Sequence, residues 1–210
     1  MSSAASDYPL KSAPTITLAA FKSVLTAAKS PAASEAAGIY NAFVAQGINP
    51  AIGLAIFQHE SNYGKAGIAV GRNNLAGSRY YASEAAYGAK DVGGWGSFPS
   101  YTADAKYVAA LLAGPLYAGS KSFNTAQTFP YRYAPAADNN KPDAYGNAIV
   151  AAVSKWGGKA VPIKSTPTSP AKATAAAAHA NLVQQYYAAH PKAKPATIGI
   201  STAVLVAIAL

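Results

Sequence analysis

The 210-residue chain contains no cysteine, and its acidic side chains are scarce. Without cysteine, disulfide frameworks and thiolate metal sites are excluded. Three scattered histidines suggest no other metal site, and we expect no cofactor. Only eight carboxylates are present against 17 lysines and arginines, so any acid–base mechanism must draw on a short list. That list is Asp7, Glu35, Glu60, Glu84, Asp91, Asp104, Asp138 and Asp143.

The two ends of the chain also lack common targeting features. The N-terminus has no basic segment followed by an apolar one, so we expect no classical secretory signal peptide. Residues 196–210 carry no charge, but this run is shorter than the roughly 20 apolar residues that span a bilayer as a helix. It could be a truncated transmembrane segment, an interfacial anchor or a strand. Lys192 and Lys194 before it would favour a cytoplasmic location for that side of a membrane anchor.

The net charge of +9 favours a polyanionic partner, such as nucleic acid, anionic lipid or the acidic polymers of a bacterial cell wall. The lysines and arginines are scattered and form no dense basic stripe. We therefore expect no nucleic-acid binding. An alternative is that lysines in a flexible tail simply keep the protein soluble.

Apolar periodicity and helix-ending residues are concentrated between residues 15 and 158, which predicts one mostly α-helical domain. Residues 65–101 are rich in Gly, Tyr, Ser and Asn and predict loops with a short β-hairpin. Residues 159–195 have the Lys, Ala and Pro content of a linker, in which a short helix could form. The hydrophobic segment 196–210 follows. Helices are predicted at about residues 18–28, 34–46, 50–63, 103–113 and 143–156, with Asn49 and Asp143 as N-caps and Gly64 as a C-cap.

Glu60 is the only acid in a predicted helix that is otherwise mostly apolar. It lies in the last turn, where the negative end of the helix dipole and low polarity disfavour the carboxylate. Its pKa should therefore rise. A carboxyl that stays protonated near neutral pH is what the general acid of a glycosidase requires. The alternative is an exposed glutamate at a frayed helix end.

The residues around Glu60 resemble a known family. His59-Glu60-Ser61-Asn62-Tyr63-Gly64 is followed by Asn73-Asn74-Leu75-Ala76-Gly77. This pair of motifs resembles the glucosaminidase family, glycoside hydrolase family 73 of the lysozyme-like superfamily, in its bacterial and phage branch. Ala76 replaces the family's usual Phe. Further similar segments occur over residues 15–158, among them 47–50, 98–101, 114–117 and 133–140.

The resemblance implies a lysozyme-like α+β fold in which a small hairpin forms one lip of a cleft. It implies a peptidoglycan hydrolase that cleaves the β-1,4 bond after N-acetylglucosamine, with Glu60 as the general acid. Glu84 is the first candidate and Asp91 the second for a hairpin carboxylate that activates water. An attack by the acetamido group of the substrate, which needs no second carboxylate, stays open. Asn74, Tyr133 and Tyr145 are expected to bind the glycan strand.

Two alternatives remain. One is a lytic transglycosylase or muramidase on the same scaffold. The other is a non-catalytic, membrane-anchored wall-binding or virion structural protein, which the basic linker and apolar C-terminal run would suit. A wall-degrading domain without a signal peptide suggests phage origin or export by another route. We therefore expect a wall-facing or virion-associated location.

Overall fold

The computed structural model describes residues 6–136 and 139–162, and this part of the chain is mostly helical. Antiparallel strands form two small sheets, one that pairs residues 6–7 with 161–162 and one that pairs residues 90–92 with 95–97. The expected mostly α fold with a small hairpin is thus confirmed. The helices are α1 (Leu18–Ala27), α2 (Ala36–Ala45), α3 (Pro50–Ser61), α4 (Tyr101–Ala113), α5 (Pro130–Tyr133) and α6 (Pro142–Lys155). The strands are β1 (Ser6–Asp7), β2 (Lys90–Val92), β3 (Trp95–Ser97) and β4 (Val161–Pro162), and 3-10 turns lie at Ala33–Glu35, Gly67–Ala69 and Ala82–Tyr87.

Helix α3 lies in the core, because all of its residues from Pro50 to Phe57 are buried. It packs along α6 and also contacts α2 and α4, while α2 packs along α4. The approach of α2 to α3 depends on Gly53. A Cβ at that position would lie 2.2 Å from the ring of Phe43, so a larger residue would force the two helices apart.

The start of α3 follows the predicted pattern. The Asn49 side chain accepts a hydrogen bond from the Ala51 N–H at 3.1 Å, and Pro50 occupies the first helical position. The predicted cap at its end is wrong. Asn62, with φ of 48°, is the C-cap, and the backbone stays left-handed through Tyr63 to Gly64. An asparagine tolerates this conformation at little cost, so the C-cap lies two residues before the glycine.

Two other helix starts differ from the prediction. Helix α4 begins at Tyr101 rather than 103, because the Ser100 side chain caps the N–H of Ala103. Helix α6 begins at Pro142, so Asp143 is not its N-cap. The Asp143 carboxylate lies in the first turn and accepts a hydrogen bond from the Tyr131 hydroxyl. Proline is favoured at the first helical position, and it sets the start here.

The packed region extends beyond the predicted limits of 15 and 158. Tyr8 and Leu10 are buried in the core. The Tyr8 hydroxyl donates to the carbonyl of Gly158 at 2.9 Å, and β1 pairs with β4. Leu10 is fixed by backbone bonds to Asn124 at 2.8 Å and Asn49 at 2.9 Å. The folded unit therefore includes residues 6–14 and 159–162.

The rest of the predicted linker, residues 163–195, and the hydrophobic segment 196–210 lie outside the described residues. Within the ranges that are described, no helix combines the length and apolarity needed to cross a membrane.

We predict that Leu10→Ala destabilises the domain by about 2–5 kcal/mol, the usual cost of truncating a fully buried leucine. Lys11→Ala at the exposed neighbouring position is the control and should change stability by less than about 0.5 kcal/mol. Urea unfolding followed by circular dichroism measures both. Equal stability of the two variants would show that the N-terminal segment does not belong to the core.

Candidate active site

Glu60 lies in the last turn of α3, as predicted, and its side chain keeps partial access to solvent. The Tyr145 hydroxyl, from α6, donates a hydrogen bond to Glu60 Oε1 at 2.7 Å. Burial raises the pKa of Glu60 to about 7, and the Tyr145 hydrogen bond offsets part of that rise. Near pH 7 the carboxyl is therefore protonated in a substantial fraction of molecules, in a residue that is partly exposed.

The turn after Glu60 is held by Ser61. Its hydroxyl donates to the carbonyl of Phe57 at 3.1 Å and accepts from the N–H of Gly64 at 2.8 Å. Gly64 has φ of 85°, and a Cβ there would lie 2.9 Å from Leu75 Cδ2. The Glu-Ser-x-x-Gly segment thus makes a tight turn whose glycine contacts the Asn-Leu-Ala-Gly segment.

Asn74 is fully buried and connects this second segment to the hairpin. Its Nδ2 donates to the carbonyls of Ser78 at 2.7 Å and Gly96 at 2.8 Å, and its Oδ1 accepts from the N–H of Ser78 at 2.8 Å. The side-chain amide is therefore committed to backbone groups. The structure gives Asn74 a positioning role and leaves it no exposed surface for direct contact with a ligand.

Glu84 does not lie on the hairpin. It belongs to the 3-10 turn Ala82–Tyr87 before β2, and its side chain is fully buried against Gly96 of β3. Burial raises the pKa of Glu84 to about 7, partly offset by Ser78 and the Tyr81 backbone. Neither of its carboxyl oxygens has a partner of regular hydrogen-bond geometry. In this conformation Glu84 cannot activate a water molecule at an exposed site.

Asp91 lies on β2 and is exposed. Its Oδ1 accepts the N–H of Gly94 at 2.7 Å, which closes the Gly93–Gly94 turn of the hairpin. The sequence ranked Glu84 above Asp91 for activating water. Of these two carboxylates, only that of Asp91 reaches solvent.

A buried acid that the sequence analysis did not single out is Asp104 in the first turn of α4. Its Oδ2 accepts the N–H of Leu75 at 2.6 Å. Burial raises the pKa of Asp104 well above its ordinary value, and the charge of Glu84 adds to that rise. In sequence, an acid in the first turn of a helix suggests only a favourable dipole interaction. Nothing in the pattern marks Asp104 as buried.

Tyr133 and Tyr145 are both buried beside Glu60. Tyr145 packs edge-on against Tyr133 and Phe129, with ring centroids 6.1 Å and 5.8 Å apart. Burial raises the pKa of Tyr133 well above its ordinary value, and the charges of Glu60 and then Asp104 raise it further. The tyrosines thus build the wall behind Glu60, with Tyr145 contacting the carboxyl directly, and neither exposes a ring face for stacking on a sugar.

The site has one solvent-accessible acid on a rigid helix end and a hydroxyl that orients it. Within residues 6–136 and 139–162, no cluster of three or more His, Asp or Glu side chains could hold a metal ion. The arrangement suits proton donation to a bound substrate.

We predict that Glu84→Gln makes the stability of the domain less dependent on pH. A carboxyl whose pKa is raised by folding stabilises the native state below its unfolded pKa, and this contribution is lost as pH rises toward the folded pKa. A rise from 4.5 to about 7 corresponds to roughly 3 kcal/mol, lost between about pH 4.5 and 7. Relative to wild type, the variant should therefore gain up to about that amount between pH 5 and pH 8.

Denaturant unfolding at both pH values measures this gain. Asp91→Asn, at an exposed carboxylate, is the control and should show no comparable gain. A wild type and Glu84→Gln variant with parallel pH profiles would contradict the burial of an ionisable Glu84.

No protein-family model matches the chain, and no curated protein or solved structure matches it significantly.

Proposed function

We propose that this protein is a peptidoglycan hydrolase of the endo-β-N-acetylglucosaminidase type, with Glu60 as its general acid. We further propose that its helical body and hairpin form a lysozyme-like domain with the hairpin as one lip of the substrate cleft. The observation that carries the proposal is the state of Glu60: partly exposed, held by Tyr145, and with its pKa raised to about 7. The contact between Gly64 and Leu75 supports the proposal, because it brings the motif at residues 59–64 and the motif at residues 73–77 together next to Glu60.

Glu60 would protonate the glycosidic oxygen as its bond to the N-acetylglucosamine C1 breaks. A protonated carboxyl is needed for that step, and burial keeps a substantial fraction of Glu60 protonated near neutral pH. The Tyr145 hydroxyl fixes the orientation of one carboxyl oxygen, which leaves the other oxygen for the substrate.

The group that attacks C1 is best assigned to the substrate itself. Glu84 is fully buried and Asp91 Oδ1 is engaged in the hairpin turn, which supports a route that needs no second carboxylate. Attack by the acetamido oxygen of the sugar would form a cyclic intermediate that water then opens. Glu84 and Asp91 stay candidates for a carboxylate that activates water, and of the two Asp91 is the one that reaches solvent.

A lytic transglycosylase on the same scaffold is the second candidate, and the same observation favours it. An intramolecular attack by a sugar hydroxyl also needs only one accessible acid. Mass spectrometry of the products separates the two activities: a glucosaminidase leaves a reducing N-acetylglucosamine end, whereas a transglycosylase leaves an anhydro-muramic end.

We predict that Glu60→Gln lowers peptidoglycan cleavage by about 10²–10⁴-fold or more, because the amide keeps the shape of the side chain and cannot donate the proton. Glu60→Asp, which keeps the acid and moves it back by one methylene, should retain more activity than Glu60→Gln. Release of reducing sugars from purified peptidoglycan is the measurement, and thermal melting checks that each variant is folded. Activity of a folded Glu60→Gln within a few-fold of wild type would exclude Glu60 as the acid.

We also predict that Tyr145→Phe shifts the alkaline limb of the pH–activity profile to higher pH. Activity needs protonated Glu60 and so falls as pH rises through the Glu60 pKa near 7. The Tyr145 hydrogen bond lowers that pKa, and its removal should raise it. An alkaline limb at unchanged pH would mean that Tyr145 does not act on the catalytic acid. The maximal rate should fall as well, because the carboxyl loses its orientation.

A further inference from the structure

A groove of about 490 Å³ lies between α3 and α6, outside the immediate surroundings of Glu60. Small side chains form its floor, among them Ala148 and Ala151 of α6, both of which are exposed. A floor of alanines lets an extended chain with small side chains approach the helix backbone closely. The size falls within the usual range for ligand sites.

One end of the groove adjoins the candidate active site. His59 lines the groove and packs against the Tyr145 ring, with centroids 4.1 Å apart. Tyr145 in turn holds Glu60 at 2.7 Å. The groove and the Glu60 carboxyl are thus linked by the contact of His59 with Tyr145, which places the groove next to the candidate site.

The charge that lines the groove is positive. Among the described residues that line the groove, Lys155 is the only Lys, Arg, Asp or Glu, and its side chain is exposed. Desolvation lowers the pKa of His59, so its ring is largely uncharged at pH 7. Gln58 adds an exposed amide, and the half-buried Trp156 adds an apolar wall. An uncompensated ammonium group next to an apolar wall and a small-residue floor favours an acidic peptide over an uncharged sugar.

We propose that this groove binds the acidic peptide stem attached to a muramic acid residue beside the cleaved bond, with Lys155 pairing with a stem carboxylate. The proposal rests on the proposed peptidoglycan substrate. Stem peptides are short, contain alanine and carry free carboxylates. These properties match the volume of the groove, its alanine floor and the ammonium group of Lys155. The glycan chain itself would be held at Glu60, and the stem would supply additional binding energy.

The test compares Lys155→Glu with Lys22→Glu, an exposed lysine of α1 that does not line the groove. Both variants change the net charge equally. Each is assayed on peptidoglycan with intact stems and on glycan strands whose stems an amidase has removed. We expect Lys155→Glu to raise KM for the intact polymer about 3- to 10-fold over Lys22→Glu, with this difference absent on stripped glycan. An equal effect of the two variants, or an equal effect on both substrates, would overturn the proposal.

A second measurement does not depend on cleavage. Wild-type protein labelled with ¹⁵N is titrated with an isolated stem peptide that ends in D-alanine, and the same titration is run on Lys155→Glu. Saturable shifts at Gln58, His59 and Lys155 that disappear in the variant would support the groove. Their absence in wild type up to millimolar peptide would overturn it. If wild type binds the peptide but cleaves neither polymer, the proposed hydrolase activity fails while the peptide site stands.

Discussion

The side-chain amide of Asn74 joins the hairpin to the helical body, and the geometry around Glu60 depends on that junction. Its four hydrogen bonds fix the turn to Ser78 and strand β3 at Gly96. The next residue, Leu75, is tied to α4 through Asp104 and packs on Gly64 just beyond Glu60. In a buried position each of these bonds is costly to leave unmade. Asn74 and Leu75 together therefore connect the hairpin, the start of α4 and the end of α3.

Three acids in and near the candidate site, Glu60, Glu84 and Asp104, lie in two environments. Glu60 combines partial exposure with an orienting hydroxyl, whereas Glu84 and Asp104 are enclosed under the hairpin and influence each other electrostatically. Tyr133 lies between the two environments, because the charges of Glu60 and Asp104 both raise the pKa of its hydroxyl. A negative charge on Asp104 would thus act on the hydroxyl of Tyr133, next to the candidate acid. The interior under the hairpin is uncharged only while the carboxyls of Glu84 and Asp104 are protonated. The attachment of the hairpin to the helical body therefore depends on pH.

Local sequence signals predicted much of this fold and the leading site residue. Asn49-Pro50 marks the start of α3 because capping and proline geometry are decided within a few residues. The raised pKa of Glu60 also follows from its place in an apolar helix. Burial of Glu84, Asn74 and Asp104 could not be predicted in this way, because it depends on contacts with β3, Ser78 and Leu75 that are distant in sequence or set by a turn. The short N-terminal strand was missed for the same reason, since its partner lies more than 150 residues away.

The antiparallel pairing of β1 with β4 has a consequence for the connectivity of the chain. Residues 6 and 162 are direct partners in this ladder, so the two ends of the described region lie side by side. A domain with adjoining ends tolerates circular permutation, because a short connection can close them without crossing the body. Among the exposed loop positions, Gly71 has a left-handed backbone and no atom near its missing Cβ, which makes it a suitable place to open the permuted chain. Such a rearranged chain would place β4 directly before β1, turning the longest-range strand pairing of the described region into a local one.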